Sequence, residues 1–317
     1  MKIIVAGGAG FIGSFLVESL LQDNHQVICL DNLISSDKKN ISEALKNPHY
    51  QFINLDITKT LPSNLPHIDA VFHLASPASP NINSPISYHT LAFETMMANT
   101  QGTLNLLNFS LKNKAKFLFA STSEVYGDPL VNPQPETYYG NVSTTGPRSV
   151  YDEAKRFGET LVSYFVRKHQ LDARIARIFN TYGPRILPED KRMLTNFILQ
   201  ALEEKPITLY GDGTQTRSLC YIFDMVDGLI KLMFTPNLKG QIVNIGTTEE
   251  HSVLEYAQMV KELTHSNSKI IRADKLPQDD PLVRQPNITK AKKLLNWSPT
   301  TTLKQGILET IKYYKNE

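Results

Sequence analysis

The sequence predicts an α/β fold of the Rossmann type, in which a doubly wound parallel sheet is accompanied by a smaller, non-contiguous C-terminal lobe. Short runs rich in Val, Ile, Leu and Phe alternate with longer segments in which apolar residues recur every three or four positions. This alternation is typical of βαβ units with helices on both faces of a parallel sheet. A glycine-rich segment directly after the first apolar run also fits the first turn of such a fold.

Strands and helices can be placed along the chain from these patterns. Helical spacing is found in residues 11–21, 87–113 and 151–168, and again in residues 193–204, 253–263 and 303–314. We expect a first domain of residues 1–180 plus about 218–246, and a smaller lobe of about 181–217 plus 247–317. The runs expected to form the sheet are KIIVAGG, QVICLDN, QFINLDI, AVFHLAS, KFLFAST, ARIARIFN and GQIVNIGTTEE.

Composition excludes several classes of protein. With 33 basic and 31 acidic residues, the formal net charge of +2 provides no electrostatic footprint for nucleic acid or an anionic membrane. The two cysteines, Cys29 and Cys220, lie in apolar strand-like runs and predict neither a disulfide framework nor a metal site. No apolar run approaches the ~20 residues of a membrane span, and the chain opens directly on a strand candidate. We therefore expect no membrane or nucleic-acid partner and a cytoplasmic location.

The segment GGAGFIG predicts a dinucleotide site. It places Gly7, Gly10 and Gly13 three residues apart, after a strand and at the start of a helix. Glycines permit the tight turn and the close approach of backbone N–H groups to a pyrophosphate at the helix N-terminus. Asp31 ends the second strand candidate, where an acid bonds the adenosine ribose and repels a 2′-phosphate. These features favour NAD over NADP, and the alternative is a glycine-rich turn that binds nothing.

Other cofactor contacts are expected where strands of the first domain end, because ligands of such sheets gather at the carboxyl ends of the strands. Asp56 and Ile57 would bracket the adenine, and Leu74 and Ala75 would line the cofactor channel. The remaining predicted cofactor contacts are Phe11, Ile12, Asn32, Tyr151, Lys155 and Thr181.

Tyr151 and Lys155 form a candidate catalytic pair. Four residues apart in a helical segment, they lie on one face, about 5 to 6 Å apart at Cβ. A tyrosine with a pKa of ~10 is a poor base at neutral pH, and a neighbouring ammonium group that favours phenolate makes it a better one. The pair suits proton transfer from a sugar hydroxyl during hydride transfer.

Eight segments resemble the UDP-glucuronate decarboxylase family, also called UDP-xylose synthases, of the extended short-chain dehydrogenase/reductase superfamily. The resemblance covers nearly the whole chain. It implies that C4 of the sugar is oxidised with NAD, that the resulting β-keto acid loses carbon dioxide, and that C4 is reduced again to give UDP-xylose without net consumption of NAD. The segments are GGAGFIG, HLASPASP, STSEVYGDP, GPRSVYDEAKR, ARIFNTYGPR, NFILQAL, LYGDGTQTRS and QDDPLVRQPNI.

The resemblance also implies roles for the segment STSEVYGDP. Thr122 or Ser123 would bond the reacting C4 oxygen, Tyr151 would exchange its proton, and Lys155 would hold the nicotinamide ribose. Related 4,6-dehydratases carry an Asp-Glu pair where this chain has Ser123 and Glu124. Because carbon dioxide leaves without protonation, a decarboxylase does not need that Asp. We further hypothesise that Glu124 orients the sugar acid and disfavours its carboxylate by like-charge proximity.

Substrate contacts are implied by the same resemblance. Asn180, Arg217 and Arg284 match positions around the diphosphate and sugar, Arg192 matches one in the substrate loop, and Tyr210 one against the uracil. The segment between Pro85 and Gly102 is longer than in animal members, and Met97 occupies a position where a lysine commonly faces the substrate.

Several functions remain open at this stage. Besides decarboxylation, the residues are compatible with a 4-epimerase acting on UDP-glucuronate or a related sugar, or with a 4,6-dehydratase, which Ser123 disfavours. A catalytically silent NAD-binding protein is a further alternative. The second lobe is expected to bind the nucleotide sugar. Helices from Ser87 and from Tyr151 resemble the pair that forms a four-helix interface in this superfamily, which implies a homodimer.

Overall fold

The structure is a computed structural model that describes residues 1–274 and 281–316. Its strands, in chain order, are β1 (Lys2–Ala6), β2 (Gln26–Asp31), β3 (Tyr50–Asn54), β4 (Ala70–His73), β5 (Lys116–Thr122), β6 (Ala173–Ile178), β7 (Thr181–Tyr182), β8 (Ile207–Tyr210), β9 (Thr216–Arg217), β10 (Cys220–Tyr221), β11 (Ile242–Ile245), β12 (His251–Ser252) and β13 (Ile270–Asp274). Its helices are α1 (Phe11–Gln22), α2 (Ala92–Met97), α3 (Thr103–Asn113), α4 (Ser149–His169), α5 (Met193–Leu202), α6 (Ile222–Phe234), α7 (Val253–Thr264), α8 (Thr289–Leu295) and α9 (Leu303–Lys315).

Seven of these strands form one parallel sheet in the order β11-β6-β5-β4-β1-β2-β3. From β1 the chain proceeds to β2 and β3 on one side, and then returns to add β4 on the other side. The strand order therefore reverses between β1 and β4, and a crevice for ligands opens at such a point. This sheet confirms the predicted fold class, including the place of β11 in it.

Both faces of the sheet are covered, because alternate residues of each strand point to opposite sides. In β1, Ile3 and Val5 belong to a core that includes residues of α1 and α6, whereas Ile4 belongs to a second core with residues of α3 and α4. The first core continues without interruption into residues of α5, α7 and α9. The C-terminal elements are thus attached to the sheet by shared apolar packing.

The C-terminal elements group around α5. This helix packs against α7, α9 and β8, and β8 pairs in parallel with β13. Ser252 and Glu255 form a capping box that starts α7. One predicted part of the smaller lobe, α8, instead contacts α6 and β11 beside the main sheet. The domain boundaries given above stay a prediction.

Two elements differ from the sequence-based expectation. The segment 87–113 is not one helix: α2 begins at Ala92, and Ala98–Gly102 forms a π-helical turn before α3. The Asn99 side chain, in this turn, donates to Ser76 Oγ and to the Thr95 carbonyl, both at 2.8 Å. The helix α6, which has no sequence-based counterpart above, is amphipathic: most of its residues are buried, and Asp227 pairs with Lys231 on its outer side. Of the segment QDDPLVRQPNI, Gln278, Asp279 and Asp280 lie outside the described residues.

Candidate active site

A cavity of about 370 Å³ lies at the point where the strand order reverses. Its wall is built from the loop between β1 and α1, the ends of β4 and β5, the first turns of α4, and segments after β6. The cavity therefore joins the predicted cofactor loop to the predicted catalytic pair. Predicted site residues on this wall are Gly7, Gly10, Phe11, Ile12, Gly13, Leu74, Thr122, Ser123, Glu124, Tyr151, Lys155, Asn180, Thr181, Arg192, Tyr210 and Arg217.

The glycine loop has the shape that a pyrophosphate requires. Gly7 has a φ of +81°, and a Cβ there would lie 2.6 Å from the backbone nitrogen of Ala75. A Cβ on Gly13 would lie 2.0 Å from the carbonyl oxygen of Gly7. Gly10 begins α1 without any side-chain cap, so the first N–H groups of the helix face the cavity without intrahelical partners. These features fit NAD, with its phosphates at the N-terminus of α1.

Asp31 has a structural role that the sequence pattern did not reveal. Its carboxylate accepts hydrogen bonds from the backbone N–H groups of Ala9 at 3.0 Å and Leu33 at 2.9 Å, and from the Ser36 hydroxyl at 2.9 Å. Asp31 thereby ties the glycine loop to the end of β2. Asn40, which sequence reasoning missed, donates to the Ala9 carbonyl and lies on the cavity wall.

Several predicted cofactor residues lie behind the wall rather than on it. Asp56 accepts hydrogen bonds from the N–H and hydroxyl groups of Thr58, Ile57 is buried under Gly102, and Ala75 packs against Gly7. Their contacts with a ribose or an adenine stay predictions. The predicted residues outside the cavity wall are Asp31, Asn32, Asp56, Ile57, Ala75 and Arg284.

Tyr151 and Lys155 lie together on the buried face of α4. The Lys155 Nζ is 5.7 Å from the centroid of the Tyr151 ring and donates to the Ala120 carbonyl at 2.7 Å. Burial lowers the pKa of Lys155 to about 7, although the Glu159 carboxylate opposes this. Burial also raises the pKa of Tyr151 to about 12, against a hydrogen bond with Thr122 that lowers it. The pKa of Tyr151 thus moves opposite to the expectation from the Tyr–Lys spacing, because burial dominates.

Glu124 is held between two arginines. It stands in a 3₁₀ turn, Ser123–Tyr126, directly after β5. Arg148 Nη2 donates to Glu124 Oε2 at 2.6 Å, and Arg284 Nη2 donates to the same oxygen at 3.0 Å. Burial opposes ionisation of Glu124, but the two guanidinium groups outweigh it and lower its pKa to about 2. Because two cations offset its charge, the structure argues against the hypothesis that Glu124 repels the substrate carboxylate.

Asp152 is a buried acid that sequence reasoning left without a role, although it stands in the segment YDEAK. Its Oδ1 atom has no hydrogen-bond partner among the residues that the structure describes. Burial and the neighbouring Glu124 raise the pKa of Asp152 to about 8, against the opposing charges of Arg148 and Arg284. A second carboxyl group, whose pKa is shifted in the opposite direction to that of Glu124, therefore lies next to the cavity wall.

The predicted substrate residues surround the other end of the cavity. Arg192 pairs with Asp190 at 3.0 Å, and the Tyr210 hydroxyl accepts from Asn83 Nδ2 at 3.5 Å. Arg284 lies beneath the wall, where its Nη1 donates to the Ser123 carbonyl at 2.6 Å. Met97 is half-buried at the end of α2 and does not line the cavity.

Arg185 is a wall residue that sequence reasoning missed. Its guanidinium carbon lies 4.2 Å from the centroid of the Phe15 ring, and Nη2 pairs with Glu18. The segment ARIFNTYGPR contains Arg185, so this family motif could have identified it.

Among residues 1–274 and 281–316, no helix combines the length and apolar character needed to cross a membrane. The same residues contain no group of three His, Cys, Asp or Glu side chains arranged for a metal ion.

A doubly wound sheet, a glycine-lined helix start and a buried Tyr–Lys pair in one cavity define a dinucleotide-dependent enzyme of the extended short-chain dehydrogenase/reductase type. The chain belongs to the NAD dependent epimerase/dehydratase family, whose sequence model matches residues 3–246. The family is NAD-dependent, in agreement with the cofactor predicted from the glycine loop.

Individual relatives match over the full chain. UDP-glucuronic acid decarboxylase 1 of Danio rerio is 43% identical over 318 residues, which cover 100% of this chain and 73% of that protein. UDP-glucuronic acid decarboxylase 3 of Arabidopsis thaliana is 46% identical over 308 residues, which cover 97% of this chain and 87% of that protein. The UDP-glucuronic acid 4-epimerase from Bacillus cereus, solved in complex with UDP-glucuronic acid and NAD, superposes with a TM-score of 0.89 at 32% identity, covering 100% of this chain and 99% of the epimerase.

Proposed function

We propose that this protein decarboxylates UDP-glucuronate to UDP-xylose through a 4-keto intermediate. The observation that carries the proposal is the full-length identity of 43–46% to proteins named as UDP-glucuronic acid decarboxylases. The cavity supports the same chemistry. Tyr151 and Thr122 line it together with Ser123 and Glu124, which stand where 4,6-dehydratases have an Asp-Glu pair.

Proton transfer at C4 is assigned to Tyr151. Its phenolate form accepts the proton of the C4 hydroxyl, and the hydroxyl of Thr122 or Ser123 bonds the same oxygen. The bond between Tyr151 and Thr122 favours the phenolate and so partly offsets the effect of burial on the pKa of Tyr151. When bound, NAD supplies a hydride acceptor for C4 and later returns that hydride, so the cofactor is not consumed. Lys155 would hold the nicotinamide ribose.

Carbon dioxide leaves after C4 becomes a ketone. The C5–C6 bond breaks, and its electron pair is delocalised over C5, C4 and the C4 oxygen, where Tyr151 and Thr122 hydrogen-bond to the negative charge. C5 then takes up a proton from solvent, and Tyr151 returns its own proton to the C4 oxygen as the ketone is reduced. Glu124, held by Arg148 and Arg284, orients the sugar acid and is not needed to protonate a leaving group.

The nucleotide half of the substrate is assigned to the opposite wall. Asn180 and Arg217 would contact the diphosphate and sugar, Arg192 would belong to the substrate loop, and Tyr210 would lie against the uracil. Arg284 would act from beneath the wall through Ser123 and Glu124. The smaller lobe would thus bind the UDP-sugar, and the sheet domain would bind NAD.

A 4-epimerase acting on UDP-glucuronate is the second candidate. It is supported by the similarity to the Bacillus cereus epimerase, whose fold superposes over the whole chain. That similarity is at 32% identity, against 43–46% for the decarboxylases, so decarboxylation is favoured.

We also propose that the protein is a homodimer. Phe93 and Met96 of α2, together with Phe157 and Tyr164 of α4, are exposed large apolar or aromatic side chains. The two helices pack against each other, so these side chains belong to neighbouring elements of one surface. An apolar helix pair of this kind supports association with a second copy through a four-helix interface. The predicted cytoplasmic location is part of the same proposal.

The deciding experiment is incubation of the purified protein with UDP-glucuronate and NAD. Carbon dioxide release and the nucleotide sugar, identified by NMR, are measured together. UDP-xylose with one carbon dioxide for each sugar is the expected result. A product with an intact carboxylate and inverted C4 would identify an epimerase instead, and the absence of any reaction would contradict both proposals. A Tyr151→Phe variant is the matched control, because it removes only the phenolic hydroxyl.

A further inference from the structure

Tyr88 forms a close aromatic contact with Tyr151. The two ring centroids are 4.8 Å apart, and the ring planes differ by 9°. Both side chains are buried, and both line the same cavity. Near-parallel rings at this separation are offset-stacked, which is a favoured geometry for an aromatic pair. One face of the candidate catalytic tyrosine is therefore covered by a second tyrosine that is 63 residues away in the sequence.

Tyr88 also connects Tyr151 to the charged part of the site. The guanidinium carbon of Arg148 lies 5.9 Å from the centroid of the Tyr88 ring, and Arg148 pairs with Glu124. The His89 ring packs near Tyr88, with centroids 4.5 Å apart. The Tyr88 hydroxyl has no hydrogen-bond partner among the described residues, and burial raises its pKa, so it stays neutral.

The position of Tyr88 is set by a clasp, which we define as hydrogen bonds between residues 79–84 and residues 189–191. Ser79 Oγ donates to the Asp190 carbonyl at 2.6 Å, and Ser84 Oγ donates to the Glu189 carbonyl at 2.5 Å. Asn81 Nδ2 donates to the Lys191 carbonyl at 3.0 Å. The chain segment that presents Tyr88 is thus attached to the loop before Arg192.

We propose that Tyr88 is a positioning residue for Tyr151. The ring of Tyr88 restricts the Tyr151 ring to one orientation and excludes water from one of its faces, while the Tyr88 hydroxyl takes no part. This inference rests on the proposed function, because it assigns Tyr151 to proton exchange at C4. A small displacement of a reacting group is costly for catalysis, so loss of the stack is expected to affect turnover more than substrate binding.

Two substitutions separate the ring from the hydroxyl. Tyr88→Leu removes the aromatic face and is expected to lower kcat about tenfold, in keeping with the strength of an aromatic pair, with KM changed less than about twofold. Tyr88→Phe keeps the stack and is expected to retain kcat within about twofold. Tyr139→Leu is the matched control, because Tyr139 is 90% exposed. Loss of kcat in Tyr88→Phe equal to that in Tyr88→Leu would overturn the proposal.

A readout without substrate keeps this test separate from the test of the proposed function. The protein is labelled with ¹³Cζ-tyrosine, Tyr151 is assigned with Tyr151→Phe, and its resonance is followed by NMR as pH rises. Removal of the covering ring admits water, so Tyr88→Leu is expected to lower the titration midpoint of Tyr151, and Tyr88→Phe to leave it unchanged. An unchanged Tyr151 resonance in Tyr88→Leu would overturn the proposal, even if the wild-type protein does not act on UDP-glucuronate.

The clasp provides a second variant in case Tyr88→Leu does not fold. Ser79→Ala keeps the Tyr88 side chain but removes one hydrogen bond of the clasp, so the ring is held less firmly against Tyr151. A decrease in kcat of about twofold or more, with the Tyr151 resonance shifted in the same direction as expected for Tyr88→Leu, would support the proposal. A folded Ser79→Ala variant with wild-type kcat and an unshifted Tyr151 resonance would count against it.

Discussion

Replacement of Glu124 by Gln tests both the chemistry and the electrostatics of the candidate site. Arg148 and Arg284 donate to one carboxylate oxygen of Glu124 at 2.6 and 3.0 Å. The side chains of Arg148, Arg284 and Glu124 are 7%, 1% and 14% exposed, respectively. Glu124→Gln keeps the shape of the side chain but leaves both guanidinium groups facing a neutral amide. Breaking a buried ion pair in this way is strongly destabilising, because the remaining charge is uncompensated.

The size of the effect follows from the pKa of Glu124. The two arginines outweigh burial and lower this pKa from 4.5 to about 2. At about 1.36 kcal/mol for each pH unit, the difference corresponds to roughly 3 kcal/mol of folding free energy. Because the pKa is lower in the folded state, this stabilisation is present above about pH 4.5 and is lost as the pH falls toward 2. The variant is therefore expected to differ most from the wild type at neutral pH.

The assay is urea unfolding followed by the fluorescence of Trp297, the only tryptophan of the sequence, which is buried. At pH 7, Glu124→Gln is expected to lower the free energy of unfolding by roughly 3 kcal/mol and to slow carbon dioxide release from UDP-glucuronate. Glu43→Gln is the matched control, because Glu43 pairs with Lys46 on an exposed surface and such pairs contribute little. Stability equal to that of the control would refute the electrostatic reasoning, and unchanged turnover would remove Glu124 from the mechanism.

Three further predictions concern other parts of the molecule. Gly13→Ala places a Cβ 2.0 Å from the Gly7 carbonyl oxygen, so NAD binding measured by calorimetry is expected to weaken at least about tenfold; unchanged affinity would contradict this geometry. Burial raises the pKa of Asp152 to about 8. In the folded protein Asp152 therefore keeps a proton that it loses in the unfolded chain, so the free energy of unfolding decreases as the pH rises from about 4 to 8. Asp152→Asn should flatten that slope in urea titrations at several pH values, and an unaltered slope would count against a buried protonated acid. Phe157→Asp is expected to give a monomer by light scattering, whereas Leu130→Asp, at another exposed position, should not; a Phe157→Asp dimer would place the interface elsewhere.

Much of the fold was predictable because it depends on local patterns. The apolar runs that became β1, β2, β4, β5 and β6 carry their own signal, since buried parallel strands are apolar throughout. The discontinuity between α2 and α3 was not predictable, because the π-helical turn is held by Asn99, which reaches Ser76 after β4. The helix α6 was missed because it begins at Ile222, directly after the short strand β10, so its first residues continue an apolar run that also fits a strand.

The candidate site was also predictable only in part from the sequence. Gly7, Gly10 and Gly13 were identified from their spacing, and Tyr151 and Lys155 from their separation by one helical turn, since both patterns are properties of a few neighbouring residues. The direction in which the pKa of Tyr151 shifts could be determined only from the folded structure, because burial is set by all the residues that surround the side chain.

Contacts between distant segments depended on tertiary structure alone. Glu124 meets Arg148 and Arg284 only after β5, α4 and the C-terminal region are packed together, and this contact determines the charge state of the acid. Likewise, Tyr88 covers Tyr151 from a distant part of the chain, in a segment that the clasp attaches to residues 189–191. The amino-acid sequence alone thus specified the elements and the types of reactive group, whereas packing decided their partners and protonation, because electrostatic and stacking energies depend on distances that no local pattern encodes.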